Sequence, residues 1–244
     1  MNRKALEQKD HVKYLGVLMD QHLTWSYQIS SVAKKISRGI GILARLRTFL
    51  DPKLLISIYY CLVYSHLSYG IHAWGSAAAT DLNKIEILQK KAVRILTGSQ
   101  YFQIYGEVAG PLPASEPLFK RLEILKLNDI FKLNIANFVY ATLSNESPPI
   151  FSDWFTYTNS VHAYSTTSST VVNCREYFDV GTVEQTHTLF IQRPHLEKYG
   201  KRMIQVSGPI LWNSLPRSLQ ESPSLPTFKS HLKKHFLGQY NDPN

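Results

Sequence analysis

The side chains with most to offer chemically are cations grouped on two short stretches. Lys34, Lys35, Arg38, Arg45 and Arg47 form one group, and Lys90, Lys91 and Arg94 form another. Cations set along helices neutralise backbone phosphates and release counterions, whatever the base sequence. The plain alternative is a solvated helix face. Trp25, Tyr27, Trp74 and Trp212 add rings on which bases can stack, although core packing is the commoner use of such residues. Catalytic patterns are missing. Gly106 and Gly110 stand without a following Lys-Ser/Thr, so there is no phosphate loop, and there is no Gly-x-Ser-x-Gly elbow. Two-metal phosphoryl transfer needs clustered carboxylates. No two acidic residues are adjacent here, and Tyr-x-Asp-Asp does not occur. Cys174, His187 and His195 match no zinc spacing. Glu184, His187 and Cys174 read as scattered loop residues rather than a nucleophile set.

These side chains sit on a basic background. Lys and Arg number 27 against 18 Asp and Glu, for a formal net charge of +9. The excess is loaded at the ends: residues 1–50 hold nine basic and three acidic side chains, and residues 201–244 hold six and two. Such asymmetry favours a polyanionic partner. Cys61 and Cys174 are too few and too far apart for a disulfide framework, so a reducing nuclear or cytoplasmic setting is expected. The opening Asn2–Lys13 is mostly polar and charged, unlike a secretory leader. Leu54–Thr80 carries no Asp, Glu, Lys or Arg, but its dense apolar part, Leu54–Val63, is too short to span a bilayer. No membrane contact is expected.

The elements that must position the cations are mostly helices. Ile29, Val32, Ile36, Ile40 and Leu43 recur at helical spacing within Trp25–Leu50, and the first basic group avoids that stripe. Asp51-Pro52 predicts a helix start with a side-chain cap, and Gly70 a stop. A third helix is expected from a Thr80 or Asp81 cap to Gly98, with Leu82, Ile85, Leu88, Ala92, Ile95 and Leu96 as its core face. A fourth helical region runs from Ser115 to about Leu143, with Asn128-Asp129 as an expected break. Upstream, Val12–Met19 reads as one short strand with no evident partner. Residues 156–192 read as loops and short strands, and Phe228–Phe236 as a final basic helix.

Several segments, taken in order, carry a resemblance. They are Val12-Lys13-Tyr14-Leu15-Gly16-Val17 with Leu23-Thr24-Trp25, then Tyr69-Gly70 through Trp74-Gly75, then Leu88-Gln89-Lys90-Lys91-Ala92-Val93-Arg94. Near the end follow Gly208-Pro209-Ile210-Leu211-Trp212-Asn213-Ser214-Leu215-Pro216 and Phe228-Lys229-x-x-Leu232-Lys233. In this order they resemble the C-terminal portion of a non-LTR (LINE-type) retrotransposon reverse transcriptase of the Jockey and CR1-like group, with Lys90 where Asn is usual. The resemblance implies a mainly α fold: palm strands over 1–23, a helical thumb-like domain over 24–145 and a mixed α+β tail over 146–244. In the family, RNA is copied into DNA by palm aspartates that hold two Mg²⁺. Those aspartates precede the strand at Tyr14 and so fall outside this chain. The resemblance therefore implies no cofactor here, Mg²⁺ being expected only in the complete polymerase, and no catalysis by this chain alone. It also implies a thumb that grips an RNA–DNA or DNA duplex through phosphates, with Lys34, Lys35, Arg38, Lys91 and Arg94 as expected contacts, Lys90 beside them where the family has Asn, and the palm and fingers as further partners. Arg45 and Arg47 join the expected contacts from their place on the same basic helix. The competing readings are a co-opted protein-interaction domain and a non-functional transposon remnant.

Overall fold

The computed structural model describes residues 9–98, 115–161, 188–194, 200 and 202–240, and these are mainly α-helical. Strands β1 (His11–Tyr14) and β2 (Val17–Asp20) form an antiparallel hairpin with Tyr14 opposite Val17. The single strand expected over Val12–Met19 is thus two. Leu15 and Gly16 both take positive φ, 44° and 83°, the left-handed two-residue turn that suits strand twist. A leucine in the first turn position conceals that signal.

Helix α1 (Ser26–Leu46) buries Ile29, Val32, Ile36, Ile40 and Leu43, the stripe that the spacing predicts. Helix α2 (Pro52–Tyr59) begins at a proline, but Asp51 makes no side-chain cap bond. A π-helical turn (Tyr60–Tyr64) links it to α3 (Ser65–Ser68). Gly39 of α1 explains how closely these helices approach. A Cβ there would lie 2.8 Å from the Leu62 carbonyl oxygen. Gly70, at φ 61°, stops the run as expected and leads into α4 (Ile71–Trp74).

Helix α5 (Ala79–Thr97) starts slightly earlier than expected, on Ala78 and without a side-chain cap. Ile85, Ala92 and Leu96 are buried as expected, joined by Gln89 and Val93, while Leu82, Leu88 and Ile95 are half-buried. Helix α6 (Glu116–Arg121) and helix α7 (Leu127–Leu143) divide the fourth helical region. The break falls before Leu127, with Glu123 at φ 52°. Asn128 and Asp129 instead form the first turn of α7.

The chain divides into two compact units, Met1–Phe131 with Leu237–Asn244, and Lys132–Phe236. In the first, α1 and α5 run side by side with their N-terminal ends together. The Ser26 hydroxyl donates to Asp81 Oδ2 at 3.1 Å, and at the other end Arg47 and Thr48 share a cavity wall with Ile95–Gly98. Gln89 joins α2, α5 and α7. Its amide donates to the Tyr59 hydroxyl (3.2 Å) and the Leu125 carbonyl (2.9 Å), and its oxygen accepts the Leu127 N–H (2.9 Å).

The second unit contains a 3-10 turn (Pro149–Trp154), α8 (Thr158–Val161), α9 (Ile204–Asn213) and α10 (Arg217–Gln220), together with most of α7 and of α11 (Leu225–Gly238). The Tyr140 and Phe228 rings stack at 4.7 Å, and the Tyr140 hydroxyl donates to the Ser222 carbonyl at 2.6 Å. The final helix expected over Phe228–Phe236 is present and longer. Of the strands expected over 156–192, the described residues hold one bridge, Tyr157 to Leu189. Residues 162–187, with Cys174, Glu184 and His187, lie outside the described set, as does His195.

Candidate nucleic-acid interface

The α1 helix decides which cations can act together. Its core stripe fixes the opposite face by the 3.6-residue period. On that opposite face Tyr27, Ser31, Lys34, Arg38, Gly41 and Arg45 follow one another at three- and four-residue steps, and the four from Lys34 onward are all exposed. Lys34, Arg38 and Arg45 therefore form a single outward row. No acidic residue occurs between Asp20 and Asp51. Like charges at such spacing repel by a few tenths of a kcal/mol per pair, and this helix offers no carboxylate to relieve them.

The other expected residues have distinct settings. Lys35, also exposed, sits on the flank facing α3. Burial depresses the pKa of His66 there, and the Lys35 charge adds to that effect. Arg47 follows α1, beside Thr97, the last residue of α5, and the capping Gly98, where a cation suits the negative end of the helix dipole. Lys91 is exposed on α5, and Arg94 is half-buried one turn before its end. Lys90 faces elsewhere. It lines a cavity of about 430 Å³ with Glu86, Gln89, Glu116, Phe119 and Lys126, a set with no α1 residue. Lys126 pairs with Glu116 there. The structure thus gathers Lys34, Arg38 and Arg45 into one row and leaves Lys90 outside it.

The aromatic candidates divide as sharply. Trp74 is fully buried, with its ring N–H donating to the Tyr69 carbonyl at 2.9 Å, and Trp212 is 4% exposed. Neither ring is open to a base. Trp25 is half-buried, and exposed Tyr27 stacks on His11 at 4.4 Å. The Gly208–Pro216 motif is likewise occupied internally. Asn213 exchanges two hydrogen bonds with the Leu189 backbone (2.8 and 2.9 Å), and a Cβ on Gly208 would meet Val139 and Phe155 at 3.0–3.1 Å.

The sequence marks Asp20-Gln21-His22 as a polar turn, but not the bonds by which Asp20 holds it. Its carboxylate accepts the backbone N–H groups of His22, Thr24 and Trp25 at 2.8–3.1 Å, and the Thr24 hydroxyl. Burial works to raise its pKa, but these bonds outweigh that and hold it below the ordinary value. Asp20 thereby fixes the turn that launches the basic helix. An Asp followed by Thr at i+4 before a helical stripe was the available signal. Among the described residues, no three His, Cys, Asp or Glu side chains come close enough to hold a metal, and no helix is long and apolar enough to cross a membrane.

Comparison with known proteins gives sequence relatives alone. The chain is 36% identical over 107 residues to the RNA-directed DNA polymerase from mobile element jockey of Drosophila funebris, a match covering 42% of this chain and 12% of that protein. Against the jockey polymerase of Drosophila melanogaster the identity is 31% over 106 residues, again 42% and 12% of the two chains. The probable RNA-directed DNA polymerase from transposon X-element of Drosophila melanogaster is 29% identical over 100 residues, or 39% and 11%. The matched stretch thus spans about one-eighth of each relative's length. No protein-family model matches, and no solved structure does.

Proposed function

We propose that this chain, a relative of the RNA-directed DNA polymerases of non-LTR retrotransposons, serves as a thumb-and-tail part of such a polymerase and contacts template–primer duplex without catalysing synthesis itself. The row of Lys34, Arg38 and Arg45 on an acid-free helix is the observation that carries this reading. Three guanidinium or ammonium groups on one exposed line can each meet a backbone phosphate. Such contacts set register and affinity and read no bases. The chemistry of nucleotide addition belongs to carboxylates supplied from elsewhere in the polymerase.

The test is a titration of the purified chain against a fluorescent RNA–DNA duplex over a salt series. The wild-type chain is expected to bind at low salt, with log K falling linearly in log salt. The triple variant Lys34→Glu, Arg38→Glu, Arg45→Glu should bind weakly, with a slope shallower by about 0.9 for each phosphate contact removed. An unchanged slope and affinity would sink the assignment. Primer extension with Mg²⁺ by the pure chain would overturn the non-catalytic part.

The hairpin favours a protein partner as well. Val12, Tyr14 and Leu15 are 56%, 65% and 76% exposed, and the sheet among the described residues has two strands. Two strands are marginal alone, so the hairpin reads as the end of a larger polymerase sheet. Amide exchange in β1 should slow when the chain is joined to the rest of a jockey-type polymerase. Exchange equally fast in both settings would rule this out.

A further inference from the structure

The exposed row on α1 contains one residue that the fold does not explain. Glycine inside a helix is less favourable than alanine by about 1 kcal/mol. Gly39 has an internal reason, the 2.8 Å approach of the Leu62 carbonyl. Gly41 has none. It is exposed, its backbone is helical, and a Cβ built on it would meet nothing within 4 Å. It lies three residues after Arg38 and four before Arg45, on the row opposite the core stripe, with Ile42 (42% exposed) beside it.

Two arginines seven residues apart are separated by roughly 10 Å along the helix axis. Between them the row drops to bare backbone, a notch with charged walls and an apolar flank. We propose that Gly41 is the point of closest approach of a nucleic-acid backbone, where a sugar edge lies flush on the helix while Arg38 and Arg45 take the phosphates on either side. This rests on the duplex-binding reading above and adds to it a site chosen for shape. A side chain at position 41 would stand where the sugar must lie, leaving the flanking charges intact.

The experiment separates fit from charge and from stability. Gly41→Ala and Gly41→Leu would be compared with Ala44→Leu, an exposed position on the same helix away from the row. Each is titrated against the RNA–DNA duplex at low salt, and each is melted by circular dichroism. Both Gly41 variants are expected to melt at or above the wild-type temperature. Affinity should nonetheless fall with side-chain size, about tenfold for Gly41→Leu, equivalent to about 1.4 kcal/mol. Ala44→Leu should bind as wild type does. If the charge-reversal triple variant loses binding while Gly41→Leu keeps it, the notch is wrong and the duplex reading stands. If the wild-type chain shows no duplex affinity, both fall together. Should Ala44→Leu lose as much affinity as Gly41→Leu, general crowding of the helix explains the loss and the proposal is overturned.

Discussion

Gln89 shows how much one buried side chain can organise. It is 1% exposed and satisfies the Tyr59 hydroxyl of α2, the Leu125 carbonyl of the α6–α7 connection and the Leu127 N–H of α7. Burial pushes the Tyr59 hydroxyl well above its usual pKa, so it serves as a neutral partner throughout the physiological range. Gln89→Ala strands two backbone groups, each costing about 1–3 kcal/mol when unmet. A loss of about 2–4 kcal/mol in urea unfolding is expected, and a loss under 0.5 kcal/mol would contradict the geometry. Asp20 makes a pH-dependent contribution. Its folded carboxyl ionises more readily than the ordinary value of 3.8. That stability is complete above the unfolded value and is lost as pH falls through the lower folded one. Asp20→Asn should therefore be less stable at pH 7 and lose less than wild type on acidification. Parallel pH profiles for the two proteins would refute this.

At the scale of elements, the apolar period of α1 was legible in the sequence because the core lies on one side of it. Its outward row follows from the same period. The hairpin turn was hidden because Leu15, a residue that rarely accepts positive φ, occupies it. The start of α7 was hidden for a different reason. Its first free N–H is met by Gln89, 38 positions away, and the Lys126 N–H just before it and the Asp129 carboxylate are both held by Tyr240. The Tyr240 hydroxyl accepts the Lys126 N–H at 3.0 Å and donates to Asp129, while Lys126 Nζ lies 4.4 Å from the centre of the Tyr240 ring. Local propensity carries no trace of such distant caps. Nor could spacing tell that Lys90 faces Glu116 and Lys126 while Arg38 faces solvent, since that depends on where α6 packs. Tyr240→Phe keeps the ring and removes both hydroxyl bonds. It should lower stability by about 1–3 kcal/mol, read as an earlier urea midpoint, and an unmoved midpoint would show the C-terminal tether to be idle.

For the molecule as a whole, the net charge of +9 and the acid-free α1 set what the duplex-binding proposal requires of sequence preference. Duplexes of unrelated sequence should bind within about a factor of three of one another, because phosphate contacts carry no sequence information. A preference far beyond that range would require contacts to base edges. The π-helical turn at Tyr60–Tyr64 acts over a distance as well. By packing an extra residue into one turn, it rotates everything after it by about 100° relative to a regular helix. That rotation aims Tyr69, whose hydroxyl reaches the Leu15 carbonyl at 2.6 Å, and brings Gly70 against Val17. In sequence terms the turn is equivalent to a one-residue insertion into a regular helix. A related chain one residue shorter there would regain a regular helix and forfeit the hairpin contact in the same step, so segment length, more than residue identity, is what selection on this stretch would hold constant.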